Sequence, residues 1–171
     1  LRSLSGFGFD WKEVSEFEKA KIERGKTEPH LVFTKAGHEK LNNIRKLFSS
    51  NNPEAQRVKT ALEWFFQGLR NDNKTFSYIQ YAIALEALFG DSKHHTDIQD
   101  RISDRCAFVL AENSSQRKII KNEIKKIYDV RSRIVHDGNT RLNEYDLAFY
   151  SKLEEYLHKS LSKEIETLPE V

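Results

Sequence analysis

Apolar residues in this chain recur every three or four positions, most regularly in its second half. Val58, Ala61, Leu62, Phe65 and Leu69 repeat at that interval, which is the period of one face of an α-helix. Asn52 can cap this helix, and Pro53 takes the first helical position, where its missing N–H costs no bond. After the polar turn Asn71–Lys74, Thr75–Phe89 is apolar nearly all round, predicting a central buried helix that Gly90 ends. Thr96-Asp-Ile-Gln99 fits a capping box, followed by Ile98, Ile102, Cys106, Val109 and Leu110. Ser114 or Ser115 opens the next helix, with Ile120, Ile124, Ile127, Arg131 and Ile134 on one stripe. Asp137-Gly138 stops it, glycine taking the left-handed C-terminal position. Asn143 caps a last helix with Leu147, Tyr150, Leu153, Leu157 and Leu161 on its face, and Leu142 with Leu147 suits a hydrophobic staple.

The first fifty residues are less regular. Asp10 caps an expected helix over Trp11–Arg24 that ends at Gly25, and Thr27–Thr34 holds a short apolar run after Pro29 that is too brief to classify. Lys35–Phe48 carries Leu41, Ile44, Leu47 and Phe48 at helical spacing, and Ser49–Asn52 is a polar break. No strand pair and no internal repeat is readable. The expectation is an all-α protein with a helical domain over residues 52–165. Residues 1–50 read as an N-terminal helical extension or the remnant of a preceding module.

Composition fits helices: 32% of the 171 residues are charged, with only seven glycines and three prolines to break them. Because 28 basic groups face 26 acidic ones, any polyanion site has to be a local patch rather than the whole surface. The single cysteine, Cys106, permits no internal disulfide, which fits a reducing, cytoplasmic setting. The apolar run Tyr81–Phe89 is interrupted by Glu86 and is far too short to span a bilayer, and no charged-then-apolar leader opens the chain. No membrane association is expected. The absence of methionine, even at position 1, suggests a piece of a longer protein with a further domain.

Two positions conflict with the apolar pattern. Glu86 lies among Ala82, Ile83, Leu85, Ala87, Leu88 and Phe89. A carboxylate there either reaches the helix surface or needs a cation, and Arg131 and Arg105 are the natural partners. Arg131 occupies an inward position on its own stripe, so it needs a buried carboxylate or faces a cleft. His136 follows five residues later. That separation rotates a straight helix by about 140° net, so the pair aligns only if the helix ends near Val135 and His136 swings round. Arg131, Arg133 and His136 also read as cations favouring the helix dipole. Together, a guanidinium and an imidazole suit phosphodiester cleavage without a metal. The imidazole takes a proton from a ribose 2′-OH, and the guanidinium holds the phosphate and its developing charge. Such chemistry cleaves RNA and spares DNA. Residues 117–141 carry eight lysines and arginines, Lys125, Lys126 and Arg133 among them, against three acids, a local excess suited to a polyanion.

The segment Tyr128-Asp-Val-Arg131-Ser-Arg-Ile-Val-His136-Asp-Gly138 resembles the helix-ending signature of the HEPN superfamily, especially its Apea-like members. Ala82-Ile-Ala-Leu-Glu86-Ala-Leu-Phe-Gly90 and Ile102-Ser-Asp-Arg105-Cys-Ala-Phe-Val-Leu-Ala111 are similar to that group's two preceding helices, in the same order and spacing. The resemblance covers about residues 52–163. It implies a bundle of four to five helices and a face-to-face homodimer with two Arg/His motifs meeting at a cleft. The implied activity is endoribonuclease, in a toxin–antitoxin, phage-defence or RNA-processing setting. It makes Arg131 the phosphate-binding residue and His136 the catalytic base or acid. Glu86, Tyr128 and Ser132 support the motif, and Arg105, Lys125, Lys126 and Arg133 bind RNA. Ser132 stands where many such proteins carry Asn, Asp or His. The implied partners are RNA, a second copy and an antitoxin or companion domain, with no cofactor. Other members keep the fold as binding or dimerisation modules.

Several residues suggest less chemistry. His94 and His95 are adjacent, so their side chains diverge, and no ligand cluster at metal spacing accompanies them. No metal is expected. Cys106 reads as a small core residue. Gly6-Phe-Gly8 lacks the strand and Lys-Ser/Thr of a phosphate loop. Trp64, Phe65, Phe66, Phe76, Tyr78 and Tyr81 read as core, with a surplus for a dimer face.

Overall fold

The computed structural model describes residues 35–90, 98–137 and 141–169, and every regular element among them is an α-helix. In chain order these are α1 (Lys35–Ser49), α2 (Pro53–Arg70), α3 (Lys74–Phe89), α4 (Ile98–Leu110), α5 (Ser114–His136) and α6 (Glu144–Glu166). The protein is all-α, as its periodicity predicts. The expected helix over Trp11–Arg24, the run Thr27–Thr34, the cap at Thr96 and the stop at Gly138 lie outside the described residues, as does Gly6-Phe-Gly8. The chain divides between Arg45 and Lys46 into two units. The first is described only over Lys35–Arg45, which is helical. The second holds the end of α1 and the bundle α2–α6.

Asparagines open four of the helices. Asn52 accepts from the Ala55 N–H ahead of Pro53, Asn73 from Thr75 and Phe76, Asn113 from Gln116 and Asn143 from Asp146. Each satisfies an N–H that has no partner inside its own helix. At α5 the cap is thus Asn113, one residue before the expected serines. Asn143 gains a full capping box, because the Asp146 carboxylate accepts from the Asn143 N–H in return.

Helices α2 and α3 form one hairpin and α4 and α5 another, with α6 packed against all four. In the first hairpin the close approach is at Gly68, where a Cβ would collide with the Tyr81 ring. Ser77 Oγ donates to the Gly68 carbonyl at 2.8 Å. Helical spacing put Leu69 on this face, but Leu69 is exposed, and the absent side chain of Gly68 is what admits Tyr81. The second hairpin is antiparallel, in a register seen on its surface. Lys125 pairs with Asp100 at 2.5 Å, Lys121 with Asp104 at 2.7 Å, and the Arg117 guanidinium lies 5.0 Å from the Phe108 ring centre.

Helix α3 is buried over most of its girth, with Tyr78, Tyr81, Ala84 and Leu85 sealed, while Phe76 is exposed and Ile79, Ile83 and Glu86 are half-buried along one stripe. Tyr78 Oη donates to the Ile127 carbonyl at 2.9 Å and so ties α3 to α5. Of the aromatic cluster, Phe65, Tyr78 and Tyr81 are core, whereas Phe66 and Phe76 are exposed. On α6 the buried face includes Phe149 with Leu153, Leu157 and Leu161, while Leu147 and Tyr150 are half-buried. Cys106 is sealed in the core, 3.8 Å from Ser160 Oγ, and burial pushes its thiol up to about 12. No helix among the described residues is long and apolar enough to cross a membrane.

Candidate functional site

Three of the expected site residues meet where α3 and α5 pack. Arg131 Nη2 lies 3.4 Å from Glu86 Oε1, and both side chains are close to 30% exposed. Of the two partners open to Glu86 in the sequence, the structure selects Arg131. Tyr128 is one turn before Arg131 on α5 and is buried. Its hydroxyl and the Arg131 Nε are both buried without a hydrogen-bond partner among the described residues. A buried polar group left unsatisfied costs about 1–3 kcal/mol, and native structures keep few of them.

The charges in this recess sense one another. Burial raises the Glu86 carboxyl above its ordinary range, while Arg131 pulls it back. The Tyr128 phenol is pushed well above its usual value by burial first and by Glu86 second, and Arg131 opposes both. Tyr128 therefore keeps its proton and remains a hydrogen-bond donor. The site thus holds two unmet donors, one of them on a guanidinium and both sealed from solvent, so an acceptor such as a phosphate oxygen meets them only when the Arg131 side chain shifts.

His136 is placed differently. Helix α5 stays helical through His136, and the Asp137 N–H closes it by donating to the Arg133 carbonyl. The swing toward Arg131 that an earlier helix end allows does not occur. Helical geometry puts His136 about 140° round and about 7.5 Å along from Arg131. The His136 side chain is exposed and forms no hydrogen bond to a described residue, and Ser132 is likewise exposed.

The other expected RNA contacts are mostly engaged within the chain. Arg133 Nη2 donates to Asp146 Oδ1 at 2.5 Å, and that carboxylate is only 2% exposed. Lys125 holds Asp100, and Arg105 Nη1 donates to the Phe89 carbonyl at 2.7 Å. Lys126 is exposed. Sequence reasoning missed Asp146, although Asn143 and Asp146 stand at capping-box spacing, and it missed the Tyr78 anchor, which no local signal marks. No group of three or more His, Cys, Asp or Glu side chains among the described residues is placed to hold a metal, and His94 and His95 lie outside those residues.

No family model, no curated protein and no solved structure matches this chain. The functional reading therefore rests on its own residues.

Proposed function

We propose that this chain is a HEPN-type domain that cleaves RNA without a metal at a site completed by two copies. In the proposed reaction His136 takes the proton of a ribose 2′-OH. The freed oxygen attacks the adjacent phosphorus, and the 5′-oxygen leaves and takes up a proton from water, giving a 2′,3′-cyclic phosphate and a 5′-hydroxyl end, while His136 returns its proton to solvent. Arg131 holds the phosphate and the charge that builds on it. The observation that carries this reading is the Arg131 recess: a half-buried guanidinium with an unmet Nε, a loose ion pair to Glu86 and an unmet Tyr128 hydroxyl beside it. Because α5 turns Arg131 and His136 to different faces, the pair that acts on one phosphate takes Arg131 from one copy and His136 from the other.

The test is cleavage of labelled RNA in EDTA by the unaltered chain, by Arg131→Ala, by His136→Ala and by an equal mixture of the two variants. Cleavage is expected for the unaltered chain and lost in each variant. The mixture is expected to regain roughly a quarter of the original activity, because a two-fold dimer of unlike variants rebuilds one of its two shared sites. A mixture as inactive as its components rules out the shared site. The divergence of Arg131 and His136 also favours a second reading, in which the recess binds an RNA phosphate and no cleavage follows. In that case the unaltered chain retards RNA in a gel without cutting it, and Arg131→Ala abolishes the retardation.

A further inference from the structure

A separate cavity of about 590 Å³ opens where the end of α3 meets α4, the start of α5 and the end of α6. That volume is in the range of small-ligand sites. Three arginines line it, Arg57, Arg105 and Arg117. Phe108 lines it as well and is 71% exposed. Arg117 and Arg131 are fourteen residues apart on α5, about 21 Å along the helix. The cavity is therefore distinct from the Arg131 recess.

The arginines and Phe108 suit a ligand with a flat face and an anionic end. The Arg117 guanidinium stands over the Phe108 ring, and an aromatic ring this exposed keeps area for a second flat partner. Arg105 gives one N–H to the Phe89 carbonyl and has four more. Arg57 makes a long 3.5 Å contact with Glu54, both side chains being about half exposed, and its charge also acts on Glu164. Two acids share the lining. Asp104 is already paired with Lys121 at 2.7 Å, and Glu164 is raised by burial while Arg57 lowers it. The arginines thus outnumber the uncompensated carboxylates. Carboxylate ligands alone give no use for the open aromatic ring, whereas stacking on such rings is the sequence-tolerant way in which proteins hold nucleobases.

We propose that this cavity binds a nucleoside phosphate, either free or as part of an RNA strand, with the phosphate among Arg57, Arg105 and Arg117 and the base on Phe108. The site does not depend on the cleavage reaction. Binding is measured by calorimetry in a His136→Ala background, so that no RNA is cut. The probes are adenosine 5′-monophosphate, inorganic phosphate, a 5′-phosphorylated tetraribonucleotide and a glutamate-rich peptide. Phe108→Ala and Arg117→Ala are the test variants, because both side chains project from exposed helix positions and unchanged thermal unfolding verifies the fold. Each is expected to weaken the nucleotide roughly tenfold. Phe108→Ala should leave inorganic phosphate unaffected, and Glu164→Gln should tighten all anionic probes. Equal affinity for the monophosphate and the tetranucleotide assigns the site to free nucleotides, and a tighter tetranucleotide assigns it to RNA. A nucleotide held no better than inorganic phosphate, a peptide held more tightly than either nucleotide probe, or variants without effect overturns the proposal.

Discussion

Arg131 and Arg133 are two residues apart on α5 and lead opposite lives. Arg133 donates to a carboxylate that is sealed from water and that also closes the capping box of α6, so its corner of the bundle is a completed network. Among the described residues Arg131 has a long contact to a half-buried Glu86, and its Nε and the neighbouring Tyr128 hydroxyl find no partner. The same residue type on the same helix is structural in one case and open to a ligand in the other. Charge count does not separate them; the inventory of satisfied donors and acceptors does.

The comparison can be broken first at its finished side. Asp146→Ala removes the partner of Arg133 and half of the capping box, and is expected to cost about 2–3 kcal/mol in chemical denaturation. A loss below half of that value would make the corner no more structural than the recess. Tyr128→Phe tests the unfinished side. Deleting an unsatisfied buried hydroxyl is expected to raise stability by about 1 kcal/mol while weakening RNA binding. A destabilised variant would mean that the hydroxyl is satisfied after all.

The smallest effect concerns Glu86. Its carboxyl is raised in the folded chain, so its contribution is fully present below the unfolded carboxylate range and is lost as pH rises through the folded pKa. Relative to Glu86→Gln, the unaltered chain should therefore lose stability slightly over that rise. Urea midpoints measured on either side of it would show this, and a difference of opposite sign would mean that Arg131 dominates the carboxyl.

Much of this was legible in the sequence because helices declare themselves locally. The spacing of Ile120, Ile124 and Ile127, the Asn52-Pro53 start and the apolar girth of α3 each follow from interactions within a few residues. The Glu86–Arg131 pair was also foreseeable, since both charges sit at inward positions and each needs the other. What could not be read is which charges were already engaged. Arg133 and Lys125 look like free cations until the fold brings Asp146 and Asp100 to them. His136 could be assigned to the motif but not to a face, because that depends on where α5 stops. Leu69 looked like core because periodicity does not show that a glycine can be the contact point.

Cys106 has a practical use. It is the chain's single cysteine, it is sealed among α4 and α6 side chains, and its thiol is pushed up to about 12. A thiol reagent can meet it only when the bundle opens, so the rate of labelling in native buffer is a clock for that opening. If ligand at either proposed site braces the helices, the clock should slow as the ligand is added.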